Sequence, residues 1–153
     1  MIDQAMQTAI NIQIQLESES SQIYLKMACW ADSQGYRGMA TYMFKASDEE
    51  RAHMLKLIHY LLDRGGKVTG ADYSSPKNMF QTSLEHERTV SAAIIKLAKK
   101  ADTSGDLMTR EYLHWFILEQ IEEEDKVMSL LDELKIIGDD KGGLYSFDEK
   151  LKD

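Results

Sequence analysis

Polar residues that could bind a metal interrupt the apolar stripe of the second helix-like segment of this sequence. Glu50 and His53 lie three positions apart in "SDEERAHMLK", and a helix presents side chains at that spacing on one face. Burying an unpaired carboxylate costs several kcal/mol, so repeated glutamates on apolar stripes predict a compensating cation. A metal ion is the simplest candidate, because few lysine or arginine residues fall on these stripes. The glutamates on the stripes of the other segments are Glu17, Glu87, Glu119 and Glu123.

These glutamates are expected at matching heights along paired helices. With a rise of about 1.5 Å per residue, Glu17 lies roughly 22 Å before the first hairpin turn and Glu50 roughly 21 Å after it. On the same rise, Glu87 lies roughly 21 Å before the second turn and Glu119 roughly 21 Å after it. Glu123 follows one helical turn later. The sequence therefore predicts acidic side chains near the middle of a helical bundle.

Four long segments rich in Met, Leu, Ile, Ala, Glu and Lys predict the helices that position these residues, because such residues form helices well and strands poorly. Ser75 followed by Pro76 is typical of a helix start, with serine at the N-cap and proline at the first helical position. The prediction is an all-α four-helix bundle of two αα-hairpins in a single domain, 1–153, with a short fifth helix at the C-terminus. The helices are predicted at approximately 3–32, 36–64, 76–101, 105–137 and 145–152.

The overall composition excludes several classes of function. A net charge of -8 argues against nucleic acid as a partner, because phosphate binding needs a basic face. No stretch is apolar enough to span a membrane, and "MIDQAMQTAI" lacks the features of a signal peptide. Cys29 is the single cysteine, so neither an intrachain disulfide nor a thiolate cluster is expected. These features together favour a cytoplasmic protein.

The ligand types indicate which metal is expected. Several carboxylates with one imidazole and no thiolate favour iron or manganese over structural zinc, which prefers cysteine and histidine. Glutamates from separate helices, together with a Glu-x-x-His pair such as Glu50 and His53, form the pattern of di-iron carboxylate bundles.

Five stretches distributed over nearly the whole chain resemble a known family. They are "LESESSQIYL", "DEERAHMLKLIHYLLDRGG", "LEHE", "FILEQIEEEDKVMSLLDELKIIG" and "GLYSFDEKL". The sequence is similar in them to the non-haem ferritins of bacteria and archaea, which implies a ferritin-like four-helix bundle whose two hairpins are joined by a crossover. The resemblance also implies oxidation of Fe(II) by O₂ or H₂O₂, and storage of the ferric mineral in a homo-oligomeric shell of twenty-four subunits.

The resemblance also assigns roles to individual residues of this sequence. It implies a di-iron centre in which Glu50 bridges the two irons, and a third iron site nearby. Gln120 matches a position that supports the centre through hydrogen bonds or binds iron weakly, and Tyr24 and Trp115 match aromatic residues that can donate electrons. The di-iron ligands implied are Glu17, Glu50, His53, Glu87 and Glu123, and the third site adds Glu49, Glu119 and Glu122.

Related families are less similar to the sequence. Bacterioferritins carry a second Glu-x-x-His in the last long helix, whereas Lys126 here occupies the histidine position after Glu123. Their haem ligand is a methionine directly after the bridging glutamate, and here that residue is Arg51, so no haem is expected. Rubrerythrins add a cysteine-rich domain that one cysteine cannot supply.

Two alternatives remain open at the level of sequence. The link between the second and third helices, Gly65–Ser75, spans at most about 36–40 Å when extended, which makes a full-length crossover taut and leaves the shell geometry open. A di-iron oxidase or peroxidase that forms no mineral is one alternative to the storage function. A helical interaction module with incidental glutamates is a further one.

Overall fold

The computed structural model describes residues 2–152, and that part of the chain contains five helices and no strand. The predicted helices are all present, with bounds within a few residues of those expected for the four long ones. The helices are α1 (Gln4–Ser33), α2 (Arg37–Asp63), α3 (Pro76–Thr103), α4 (Leu107–Ile137) and α5 (Lys141–Lys150). None of them, within residues 2–152, has the length and hydropathy needed to cross a bilayer.

Side-chain caps fix where most of these helices begin. A short polar side chain just before the helix accepts a hydrogen bond from a backbone N–H of the first turn, which otherwise lacks a partner. Ser75 caps α3 in this way with Pro76 as the first helical residue, as the sequence predicts. The other side-chain caps are Asp3 for α1, Asp106 for α4 and Asp140 for α5.

The chain forms two compact units by its internal contacts, one ending at Asp72 and the other beginning at Tyr73. The first unit contains α1 and α2, and the second contains α3, α4 and α5. Each long pair is an αα-hairpin with a short turn, as predicted. The single domain and the crossover between the hairpins stay predictions.

Small side chains line the contact between α1 and α2. Ala28 and Ala40 are 0% and 2% exposed. The Ser21 hydroxyl donates to the Ser47 carbonyl oxygen and the Ser47 hydroxyl donates to the Ser21 carbonyl oxygen, both at 2.8 Å. The distance between packed helices depends on the side chains between them, so these residues let α1 and α2 approach closely. The two serines thereby also fix the register of the hairpin.

The segment that follows α2 is attached to the start of α1. The backbone N–H of Lys67 donates to the Gln7 side chain at 2.9 Å, and that of Thr69 donates to the Asn11 side chain at 2.8 Å. Asn11 also donates to the Lys67 carbonyl oxygen at 2.9 Å. The first part of the predicted link is therefore bound to its own hairpin rather than free.

The short helix α5 docks through an aromatic contact in the second unit. Phe147 is 5% exposed, and its ring meets that of Phe80 edge-on with 6.0 Å between the ring centroids. The sequence predicts this helix only from about residue 145, but the structure begins it at Lys141. A side chain at Gly143 would place Cβ 2.8 Å from Ile137, so glycine allows the first turn of α5 to lie close to the end of α4.

Candidate metal centre

The first hairpin brings three of the predicted ligands together. Glu17 lies one turn before Ser21 on α1, and Glu50 lies one turn after Ser47 on α2, so the serine pair sets these two carboxylates level. One ligand atom from each of Glu17, Glu50 and His53 lies within 4.8 Å of the others. In residues 2–152 this is the one group of acidic, histidine or cysteine side chains with metal-binding spacing.

The imidazole of His53 lies between the two carboxylates. Its Nδ1 is 3.3 Å from Glu50 Oε2 and 3.7 Å from Glu17 Oε2. The carboxylate side chains are 17% and 22% exposed, whereas the His53 side chain is 58% exposed. The three residues therefore form a partly shielded, open-sided pocket with two oxygen ligands and one nitrogen ligand.

Glu17 is held in its charged form. The Gln13 side chain donates to Glu17 Oε1 at 2.7 Å, and this hydrogen bond is the largest cause of a Glu17 pKa below its ordinary value. The neighbouring Glu50 and His53 side chains lower that pKa further. A carboxylate with a lowered pKa is deprotonated at neutral pH, which is the form that binds a metal cation.

A cavity of about 380 Å³ opens beside this group. Gln13, Glu17, His53, Lys56, Leu57 and Tyr60 line it. The cavity is large enough to hold a hydrated ion or a small oxidant next to the three ligands.

The second hairpin contains another set of predicted ligands, and polar partners already surround them. Gln120 Nε2 donates to the Glu87 carboxylate at 3.1 Å and to the Glu87 carbonyl oxygen at 3.2 Å. Gln120 therefore presents its N–H groups, rather than its carbonyl oxygen, to Glu87. Glu123 accepts a hydrogen bond from Lys126 at 2.7 Å.

The hydrogen bonds around Gln120 extend to three residues that the sequence did not single out, namely Ser91, Glu124 and Arg88. The Ser91 hydroxyl donates to Glu124 Oε1 at 2.5 Å, and Arg88 Nε lies 3.6 Å from Glu124 Oε2. With its proton committed to Glu124, Ser91 Oγ accepts from Gln120 Nε2 at 3.3 Å. These hydrogen bonds together fix the orientation of the Gln120 amide. The sequence does contain a signal for two of these residues. Ser91 lies four positions after Glu87 and Glu124 lies four positions after Gln120, so each shares a helix face with a predicted site residue.

The remaining predicted site residues lie at differing exposures. Glu119 and Tyr24 are half-buried, and Glu49 and Glu122 are exposed. Trp115 is 58% exposed and packs edge-on against Phe116 with 4.8 Å between the ring centroids. Ligand sets that combine residues of both units stay predictions.

Comparison with known proteins identifies the family. The ferritin-like domain family matches residues 7–137 of this chain. The chain belongs to the ferritin family. It is 34% identical to the bacterial non-heme ferritin of Escherichia coli, over 99% of this chain and 96% of the relative. It is 35% identical to the bacterial non-heme ferritin of Bacteroides fragilis, over 99% of this chain and 98% of the relative.

Solved structures of the family agree with this assignment. The open pore ferritin of the archaeon Archaeoglobus fulgidus is 33% identical, with a TM-score of 0.53, covering 99% of this chain and 98% of that chain. These matches confirm the resemblance to prokaryotic non-haem ferritins and the fold class, an all-α ferritin-like bundle with a short C-terminal helix. Family membership also supports iron binding, iron storage and, in general terms, iron oxidation.

Proposed function

We propose that this protein is a ferroxidase that oxidises Fe(II) to Fe(III) with O₂ or H₂O₂ and stores the ferric mineral. One observation carries the proposal: in a chain of the ferritin family, ligand atoms of Glu17, Glu50 and His53 lie within 4.8 Å of one another. Iron is the substrate and the cargo, and these three residues bind the first Fe(II).

The chemistry of the three residues fits Fe(II). Two carboxylates offset most of the ion's charge, and the imidazole adds a nitrogen ligand that iron accepts readily. Because Glu17 and Glu50 are half-buried, their attraction for a cation is screened less than that of a surface carboxylate.

A second Fe(II) is assigned to Glu50, Glu87 and Glu123, with Glu50 bridging the two ions. Two Fe(II) ions held side by side can together supply the two electrons that reduce O₂ to peroxide. Gln120 acts here as a hydrogen-bond donor that orients Glu87, and its contacts of 3.1 and 3.2 Å support this role over weak iron binding.

Further residues extend the proposal around the di-iron centre. Glu49, Glu119 and Glu122, together with Glu123, bind a third iron. Tyr24 and Trp115 supply electrons to the centre. The half-buried position of Tyr24, in α1 between the levels of Glu17 and the hairpin turn, supports its role as a donor near the metal.

The assembled protein is proposed to be a cytoplasmic homo-oligomer, a hollow shell of twenty-four subunits without haem. Arg51 supports the absence of haem, because it follows Glu50 at the position of the bacterioferritin haem ligand. The main alternative is a di-iron oxidase or peroxidase of the same superfamily that forms no mineral.

Oxygen uptake tests the ferroxidase activity. The wild-type protein should consume O₂ on addition of Fe(II), and Glu50→Ala and His53→Ala should lose this activity because each removes a ligand of the first iron. His59→Ala is the matched control on the same helix, with an exposed histidine that is assigned no role. Wild-type rates of iron oxidation in both Glu50→Ala and His53→Ala would refute the proposal.

Sedimentation before and after iron loading distinguishes storage from the alternative. A storage protein should be a large shell that gains mass far beyond three irons per chain. A small oligomer that retains only a few irons per chain would instead favour the oxidase or peroxidase.

A further inference from the structure

An ammonium group lies among the α4 glutamates that are predicted to bind iron. Lys126 Nζ is 2.7 Å from Glu123 Oε1, one helical turn away. Glu123 is the main cause of a raised Lys126 pKa, and Glu119 and Glu122 contribute through their charges. The predicted third-site carboxylates of α4 therefore all attract the same side chain.

In the part of the chain that the structure describes, no lysine or arginine forms an ion pair with Glu17 or Glu50 of the first hairpin. Among residues 2–152, the ion pairs made by Glu17 and Glu50 involve His53, which is itself a predicted ligand. Those three residues have metal-binding spacing, whereas Glu119, Glu122 and Glu123 do not form such a group in the described part of the chain. The two hairpins thus differ in whether a lysine already compensates their acidic residues.

We infer that Lys126 is a tethered cation that competes with iron for Glu123 and the neighbouring glutamates, and thereby lowers the affinity of that part of the site for Fe(II). The inference rests on the proposed function, because it concerns the same iron ligands. An ammonium group and a metal ion cannot both lie against one carboxylate oxygen without strong repulsion. Iron binding at Glu123 Oε1 therefore requires Lys126 to move away, and an iron at Oε2 would still lie close enough to the ammonium group to be repelled by it.

The Lys126 side chain is able to make this exchange. It is 59% exposed and flexible, so the ammonium group can move into solvent when a metal arrives. An exposed lysine–glutamate pair is weak, and its loss corresponds to a change of about two- to fivefold in affinity. Lys126 therefore tunes iron binding rather than preventing it.

The test is a calorimetric titration of the full-length protein with Fe(II) under anaerobic conditions at low ionic strength. Lys126→Met keeps the length of the side chain and removes its charge, so the weaker class of Fe(II) sites should tighten by about two- to fivefold. Lys126→Arg keeps the charge and should bind like the wild type. The difference between Lys126→Met and the wild type should shrink at about 1 M salt, where the Debye length is about 3 Å.

Lys135→Met is the matched control, since Lys135 is a lysine of the same helix without an acidic partner among the ion pairs of residues 2–152. It should leave every Fe(II) affinity unchanged. Wild-type affinities in Lys126→Met, with binding that still depends on Glu50, would overturn this inference and leave the proposed function intact. A wild-type protein that binds no Fe(II) would overturn both.

Discussion

The two hairpins differ in which side chains already contact their carboxylates. In the first, Glu17 and Glu50 lie around His53 with no lysine or arginine against them in the described part of the chain. In the second, Glu87 is bound by Gln120 and Glu123 by Lys126. The first hairpin is therefore preorganised for a cation, whereas iron binding at Glu123 in the second would require Lys126 to move away. On the proposed function, the chain would hold a tight site and a weaker one built from the same residue type.

The largest expected effect comes from removing one charge in the preorganised hairpin. Glu50→Gln should weaken anaerobic Fe(II) binding by about 100-fold or more, since losing a residue that merely orients a ligand already costs about 10- to 100-fold. Glu124→Gln removes a charge from the second hairpin at a residue that is not a proposed ligand, so its loss should be about 10-fold or less. Equal losses in the two variants would contradict the assignment of Glu50, and not Glu124, as an iron ligand.

Packing at the serine pair should matter next. Ser21→Val adds volume at a buried contact and should lower the free energy of unfolding by about 1–3 kcal/mol. It should also weaken Fe(II) binding, because Glu17 and Glu50 depend on the close approach of α1 and α2. Ser18→Val is the control, a β-branched substitution at an exposed position of the same helix. Chemical denaturation and Fe(II) titration check the two effects, and unchanged iron affinity in a destabilised Ser21→Val protein would show that the serine pair is purely structural.

A smaller effect is expected from the hydrogen-bond chain of the second hairpin. Ser91→Ala removes the acceptor that helps hold the Gln120 amide, so the hydrogen bond from Gln120 to Glu87 loses its fixed orientation. Fe(II) affinity at the second site should fall by about 10-fold, while the affinity of the Glu17, Glu50 and His53 group should stay at the wild-type value. Thr89→Val serves as the control on α3, since the hydrogen bond that the Thr89 hydroxyl makes within residues 2–152 goes to a carbonyl oxygen of its own helix. Wild-type affinity at both sites in Ser91→Ala would exclude the orienting role.

The smallest expected effect is a change in the melting temperature with pH, caused by Asp106 at the start of α4. Hydrogen bonds from Thr109 lower the pKa of Asp106 below its ordinary value of 3.8. A lowered folded-state pKa stabilises the fold above the unfolded-state pKa, and this contribution is lost as the pH falls through the folded-state value. Asp106→Asn keeps the cap without the charge, so the melting temperature of the wild type should exceed that of the variant at neutral pH and approach it in acid.

Thr109→Val provides the control for this pH dependence. It removes the side-chain hydrogen bond of 2.6 Å to Asp106 and should reduce the difference between neutral and acidic pH. A constant difference in melting temperature between wild type and Asp106→Asn across the pH range would contradict the assignment to Asp106.

The sequence predicts most of the fold because the decisive signals are local. Apolar periodicity locates the long helices, and Ser75 with Pro76 marks the start of α3. Glu50 and His53 are recognisable by their spacing on one helix, and Glu17 by its height across a short turn. The start of α5 is missed because Gly142 and Gly143 resemble a break, although Gly143 is accommodated in the first turn through its close approach to Ile137.

Contacts that depend on which faces of two helices pack together are harder to predict. Ser91 and Glu124 each lie four residues from a predicted site residue, but only the packing of α3 against α4 shows that they bond to each other. In the sequence, Lys126 is noticeable because it occupies the position at which bacterioferritins carry a histidine. The structure shows what the lysine does instead, which is to pair with Glu123.

X-ray absorption at the iron edge tests most directly whether the first hairpin holds the iron. Protein loaded anaerobically with one Fe(II) per chain should show scattering from one imidazole ligand. That scattering should disappear in His53→Ala and persist in His59→Ala. Imidazole scattering of wild-type strength in His53→Ala would contradict the account, because iron would then be bound away from Glu17, Glu50 and His53.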